Sequence, residues 1–151
     1  MVQKQSDDLA TRFRSHLIKR MRFFKSHLLF GALQLATAAV WLLFGMWFKV
    51  LGMVPRHRLI AAAILGEAVA TPVIMLVGIA EIAIALWIVS GIYPRFCAIV
   101  QSIAIVTMNA LELSIARELL LAPVLMVVAN TIFLGVVWYC ALKIPTTQAE
   151  T

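Results

Sequence analysis

Four stretches of about 20 predominantly apolar residues, each long enough to cross the hydrocarbon core of a bilayer as a helix, dominate this 151-residue chain. They run from about Leu28 to Phe48, Pro72 to Val89, Pro94 to Leu113 and Ala122 to Leu142. Lipid offers no hydrogen bonds to the backbone, so a segment of this length and continuity has to satisfy its own polar groups as a helix. The five prolines, Pro55, Pro72, Pro94, Pro123 and Pro145, fall at or beyond the expected ends, where a missing N–H costs little. Thr71 reads as an N-cap just before Pro72. The segment between the first two spans, residues 56–70, is apolar but broken by Arg58 and Glu67, which suits a short interfacial or re-entrant helix. The expected fold is therefore all-α: a four-helix transmembrane bundle over residues 28–142, flanked by a basic segment at residues 1–27 and a short tail at residues 143–151.

Composition and charge set the surroundings. With 63% hydrophobic and 13% charged residues, the chain has half the charge that a soluble domain uses to cover its surface. That excludes a secreted disulfide scaffold, a disordered tail and a soluble nucleic-acid binder. The net charge of +6 is concentrated: seven of the 13 Lys and Arg residues precede residue 28. They alternate with Phe13, Leu17, Met21, Phe24 and Leu28 at helical spacing, the pattern of a basic amphipathic helix. Arg12, Arg14, Lys19, Arg20, Arg22 and Lys25 can each gain about 1 kcal/mol near anionic lipid headgroups, so the expected contact is the bilayer surface, with no nucleic acid. The apolar run that follows exceeds the roughly 7–15 residues of a signal-peptide core, so an uncleaved signal anchor is expected. Four spans put both termini on one side. Placing them inside sets nine basic residues against four outside (Lys49, Arg56, Arg58 and Arg117), which predicts cytoplasmic termini in a bacterial inner membrane.

Polar side chains within the spans are the candidates for function, because a central charge costs roughly 2.5–3.5 kcal/mol on insertion scales. Counting about 1.5 Å per residue from the outer boundary of each span, Glu81 and Gln101 lie at similar depth, Asn130 somewhat shallower and Trp41 near the same level. Gly78, Glu81 and Ala85 share one helix face, as do Gln101, Ile105, Asn109 and Glu112, and as do Gln34, Thr37, Trp41 and Gly45. This predicts one central pocket in which Glu81, a candidate proton carrier, is hydrogen-bonded by Asn130 and Gln101 and walled by Trp41. Interhelical packing explains Asn130 and Gln101 equally well. Cys97 and Cys140 fall near the inner ends of the third and fourth spans and read as buried, inert thiols. His16, His27 and His57 lack metal-ligand spacing, and no nucleophile–base pair or nucleotide-binding loop is visible.

Trp41-Leu42-Leu43-Phe44-Gly45 with Lys49 and Pro55, then Gly78-Ile79-Ala80-Glu81, then Ala122-Pro123 followed by Asn130, resemble the DoxX-like family of small four-helix membrane proteins over roughly residues 33–142. The family pattern is an aromatic residue and a glycine followed by Lys in the first helix, Gly-x-x-Glu in the second, and an Asn after a Pro in the fourth. Ile84 and Ala85 stand where the pattern often has a second glycine, and the basic N-terminus lies outside it. The resemblance implies that Glu81, Asn130, Trp41 and Lys49 are the family positions. It also implies a membrane partner of soluble redox or stress-defence enzymes, with quinone as the ligand class. No cofactor is evident from the residues themselves. The same polar layer also suits a small transporter or channel, formed as a homo-oligomer, or a structural anchor in which it is packing alone.

Overall fold

The computed structural model describes residues 28–143. The expected amphipathic helix at residues 1–27 and the tail from residue 144 lie outside the described residues. The chain divides after Leu33: residues 28–33 are helical, with Leu28 and Leu29 exposed, and the residues from Gln34 onward form the unit that carries the site. The described residues form five helices. They are α1 (Leu28–Val50), α2 (Pro55–Leu65), α3 (Glu67–Ser90), α4 (Pro94–Ile115) and α5 (Pro123–Lys143), with a 3₁₀ turn at Arg117–Leu119 before α5. The described residues contain no strand. All but α2 are long and apolar enough to cross a membrane.

The last eight residues of α1, Leu43–Val50, widen into a π-helix, a rare form that is frequent at functional sites. The Leu51 N–H extends the pattern by donating to the Met46 carbonyl at 2.9 Å. The second span differs from expectation, because α3 starts at Glu67 rather than Pro72 and Thr71 lies inside it instead of capping it. Gly66 is the cause. Its backbone (φ 92°, ψ 153°) is open in practice only to glycine, so α2 ends and α3 begins there, with the Gly66 N–H donating to the Ala62 carbonyl at 2.8 Å. Glu67 then takes the first helical position, where a negative charge faces unpaired N–H groups. Pro72 withdraws one N–H from the second turn, and the helix continues through it.

Buried side chains of α1, α3 and α4, namely Ala38, Trp41, Ile84, Ala85, Ile88, Cys97 and Ile105, form the main core. A smaller cluster of Ala98, Val137 and Ala141 joins α4 to α5. Half of these ten are Ala or Cys, which suits membrane bundles, where close packing replaces the hydrophobic drive between helices. Large apolar side chains such as Leu76, Leu86, Ile103, Val106, Val124 and Ile132 point outward and stay exposed, as lipid contact requires.

Candidate functional site

The site begins with two glycines. A Cβ placed on Gly45 would stand 2.6 Å from the Gly78 carbonyl oxygen and 2.9 Å from the Glu81 Cβ. One placed on Gly78 would stand 2.7 Å from the Gly45 carbonyl oxygen and 3.0 Å from the Lys49 Cβ. Only glycine at both positions permits α1 and α3 to approach this closely. Lys49 follows Gly45 by four residues and Glu81 follows Gly78 by three, so each lies on the contact face of its own helix. Lys49 Nζ accordingly donates to Glu81 Oε1, and the two side chains are only 6% and 4% exposed. Counting Lys49 among the outer loop charges is thus corrected: it belongs to α1 and is buried as one half of an ion pair.

The pair adjoins a cavity of about 470 Å³. α1 contributes Trp41, Phe44 and Lys49 to its walls, α2 contributes Arg56 and His57, and α3 contributes Glu81. Asn109 and Glu112 come from α4, and Asn130 and Phe133 from α5. Asn130 Nδ2 donates to Asn109 Oδ1 at 2.6 Å, so these amides tie α5 to α4 rather than reaching Glu81. Three buried polar atoms of cavity-lining residues have no hydrogen-bond partner: Glu81 Oε2, an acceptor, Arg56 Nε, a donor, and His57 Nδ1. The charges balance, with Lys49 and Arg56 against Glu81 and Glu112. The His57 ring stacks on Phe48, with centroids 5.7 Å apart, and meets the Phe44 ring edge-on. Burial, then the Lys49 charge and more weakly Arg56, push the His57 pKa below its ordinary value. The neighbouring Val54 carbonyl opposes this without reversing it.

Gln101 lies elsewhere. It accepts a hydrogen bond from Trp41 Nε1 at 2.8 Å, and its Nε2 faces Cys97 Sγ at 3.4 Å. It lines a small crevice of about 30 Å³ together with Cys97 and Cys140, both buried free thiols. The expected hydrogen bond from Gln101 to Glu81 is therefore corrected, and the single polar layer resolves into two, with Trp41 between them. Of the residues expected to share a pocket, the structure brings Glu81, Asn130, Trp41 and Lys49 to the larger cavity and leaves Gln101 in the crevice. Arg56, His57, Asn109 and Glu112 also line the cavity, although the sequence did not single them out as site residues. The stripe 101, 105, 109, 112 along α4 was the available signal for Asn109 and Glu112. Arg56 and His57, at the start of the expected interfacial helix, gave none. Among the described residues, no three His, Cys, Asp or Glu stand close enough to hold a metal ion.

The sequence model of the DoxX-like family matches residues 38–138, two-thirds of the chain. That range includes every cavity residue named above. No curated protein and no solved structure matches the chain.

Proposed function

We propose, from the premise that this chain belongs to the DoxX-like family and is a multi-pass integral membrane protein, that it is a non-catalytic membrane subunit binding a quinone-sized ligand beside Lys49 and Glu81. Its partner in this reading is a soluble redox or stress-defence enzyme. The observation that carries the reading is the cavity: its volume of about 470 Å³ lies within the range of small-molecule sites, and its walls combine aromatic side chains with few polar ones. Packing alone is a weaker account. Apolar residues of similar volume commonly replace a buried ion pair without loss of stability, and a buried carboxylate oxygen without a donor is a cost that packing does not recover.

Charge supports an inner membrane with cytoplasmic termini. With Lys49 buried, three basic residues remain for the outer side against nine for the inner. In this orientation the cavity faces the outer half of the bilayer, because it is built around the end of α1, α2 and the connection from α4 to α5.

Purification of the full chain from native membranes in mild detergent, with analysis of the lipid extract and the co-purifying proteins, tests this reading. The expected result is a quinone at near-stoichiometric amount, together with a soluble redox enzyme. Solute flux in proteoliposomes without bound quinone would replace the reading with a transporter, and the absence of quinone, enzyme and flux would leave a structural anchor.

A further inference from the structure

We propose that the cavity opens sideways into the bilayer through a portal between α1 and α5, and that its ligand is an amphiphile whose hydrocarbon tail leaves by this portal. The inference rests on the reading of the cavity as a quinone-sized site and adds to it the route of entry and the place of the tail. α1 and α5 are each held by a different neighbour. Gly45 and Lys49 turn the end of α1 onto Gly78 and Glu81 of α3. α5 lies along α4, tied to it by the Asn130–Asn109 and Trp138–Ser102 hydrogen bonds and by the cluster of Ala98, Val137 and Ala141. Among the described residues, neither Leu43–Val50 nor α2 packs along α5, and the cavity occupies the space left between them.

The margins of this opening are Val40 and Phe44 on α1, and Met126 and Ala129 on α5. The members of each pair are three or four residues apart and so share one face of their helix. Val40, Phe44 and Ala129 line the cavity and are nonetheless exposed, as residues on a rim are. Depth decides what meets that rim. Ala129 lies six residues inside the start of α5 and Val40 ten residues inside the end of α1, roughly 9–15 Å along the helices. Both helices are long enough to cross the hydrocarbon, so the rim faces acyl chains rather than water.

On the side away from α2 the cavity is closed. The Trp41 and Phe133 rings meet edge-on with centroids 6.3 Å apart, and beyond them Thr37, Cys97, Gln101 and Val137 line only the crevice of about 30 Å³. A ring fits the cavity, but a long tail has to leave it, and the rim is the apolar way out. The opposite wall carries Arg56, Asn109, Glu112 and Asn130, and the balanced charge of the lining suits a head group without net charge. Glu81 Oε2, Arg56 Nε and His57 Nδ1 are buried within the wall, and the choice of ligand does not depend on them.

The test is equilibrium binding of two quinones to the full chain in phosphatidylcholine nanodiscs, each at a measured mole fraction in the lipid. One is trimethyl-1,4-benzoquinone, which has no tail, and the other is the same ring with a decyl tail. Ala129→Trp fills the rim from α5 and is expected to lower the affinity of the tailed quinone relative to the tail-less one by about tenfold or more, the scale of overpacking. Val40→Trp fills the rim from α1, is expected to do the same, and decides the matter if Ala129→Trp does not fold. Leu120→Trp, at the end of the cavity beside the connection from α4 to α5, should weaken both quinones alike. Ile132→Trp, on an exposed face of α5 outside the cavity, should leave the ratio unchanged. An unchanged ratio in the folded rim variants, or a tenfold change that appears with Leu120→Trp instead, overturns the portal while leaving the cavity reading standing. Failure of both quinones to bind the unaltered chain overturns both.

Discussion

Gly45 and Gly78 lie carbonyl against Cα across the contact of α1 and α3, so that each occupies the space where a side chain on the other would begin. Alanine at either position collides with backbone, which cannot swing aside as a side chain can. Gly45→Ala and Gly78→Ala should each destabilise the protein by about 1–3 kcal/mol, the usual cost of overpacking. Gly135 in α5 has no atom within 4 Å of its would-be Cβ, so Gly135→Ala should be neutral or stabilising by up to about 1 kcal/mol. Thermal unfolding of the detergent-solubilised variants separates the two classes, and equal behaviour at all three positions would refute the close approach.

Lys49 and Glu81 should be tolerated together or absent together. Lys49→Met strands the Glu81 carboxylate and should cost about 3–5 kcal/mol, whereas Lys49→Met/Glu81→Gln should recover most of that loss. Unfolding midpoints of wild type, the two single variants and the double variant form the necessary cycle. A double variant as unstable as the sum of the singles would show that the two side chains do not act as a pair.

The helices were legible in the sequence because runs of about 20 apolar residues are their own signature. Lys49 was less so. Ending the first span at Phe48 put Lys49 one residue outside it, and only its match to the DoxX-like pattern pointed inward. The count of depths merged two polar groups because depth does not say which faces meet: even with the observed ends, Glu81 is 14 residues from the start of α3 and Gln101 is 14 from the end of α4, yet their side chains have different partners. Arg56 and His57 were unreadable as wall residues for a different reason. Their inward course depends on the path of Leu51–Val54, four residues with no periodicity to betray a direction.

The amide bridge and the indole bridge should contribute modestly and separately. Asn109→Ala with Asn130→Ala, and Trp41→Phe with Gln101→Leu, should each show a coupling near 0.6 kcal/mol, typical of hydrogen bonds between membrane helices. Crossing one pair with the other should give no coupling, since they lie in different polar layers. Chemical denaturation in mixed micelles measures both.

His57 should make stability fall on mild acidification. Its pKa is lowered in the folded protein, so the neutral ring is favoured by folding, and its contribution is complete above the ordinary value of 6.5. It is lost progressively as the pH drops from there through the lower folded value, because the unfolded chain takes up the proton first. His57→Phe keeps the stack on Phe48 and removes the titration. Melting temperatures between pH 8 and about pH 5 should therefore decline less in the variant than in wild type, and parallel curves would exclude His57 as the source.

The order in which the chain is made gives the ion pair a role in membrane insertion. Lys49 and Glu81 both precede Pro94, so each has its counter-charge as soon as α3 is synthesised, whereas the amide bridge must wait for α5. A lone charge at mid-helix hinders insertion by roughly 2.5–3.5 kcal/mol, and pairing with Lys49, in the last turn of α1, spares α3 from meeting that barrier with Glu81 alone. The first two spans are thus expected to enter lipid as a joined hairpin, with Gly45 and Gly78 as its seam. Site-specific cross-linking of stalled nascent chains would reveal whether the hairpin forms before the last two spans arrive.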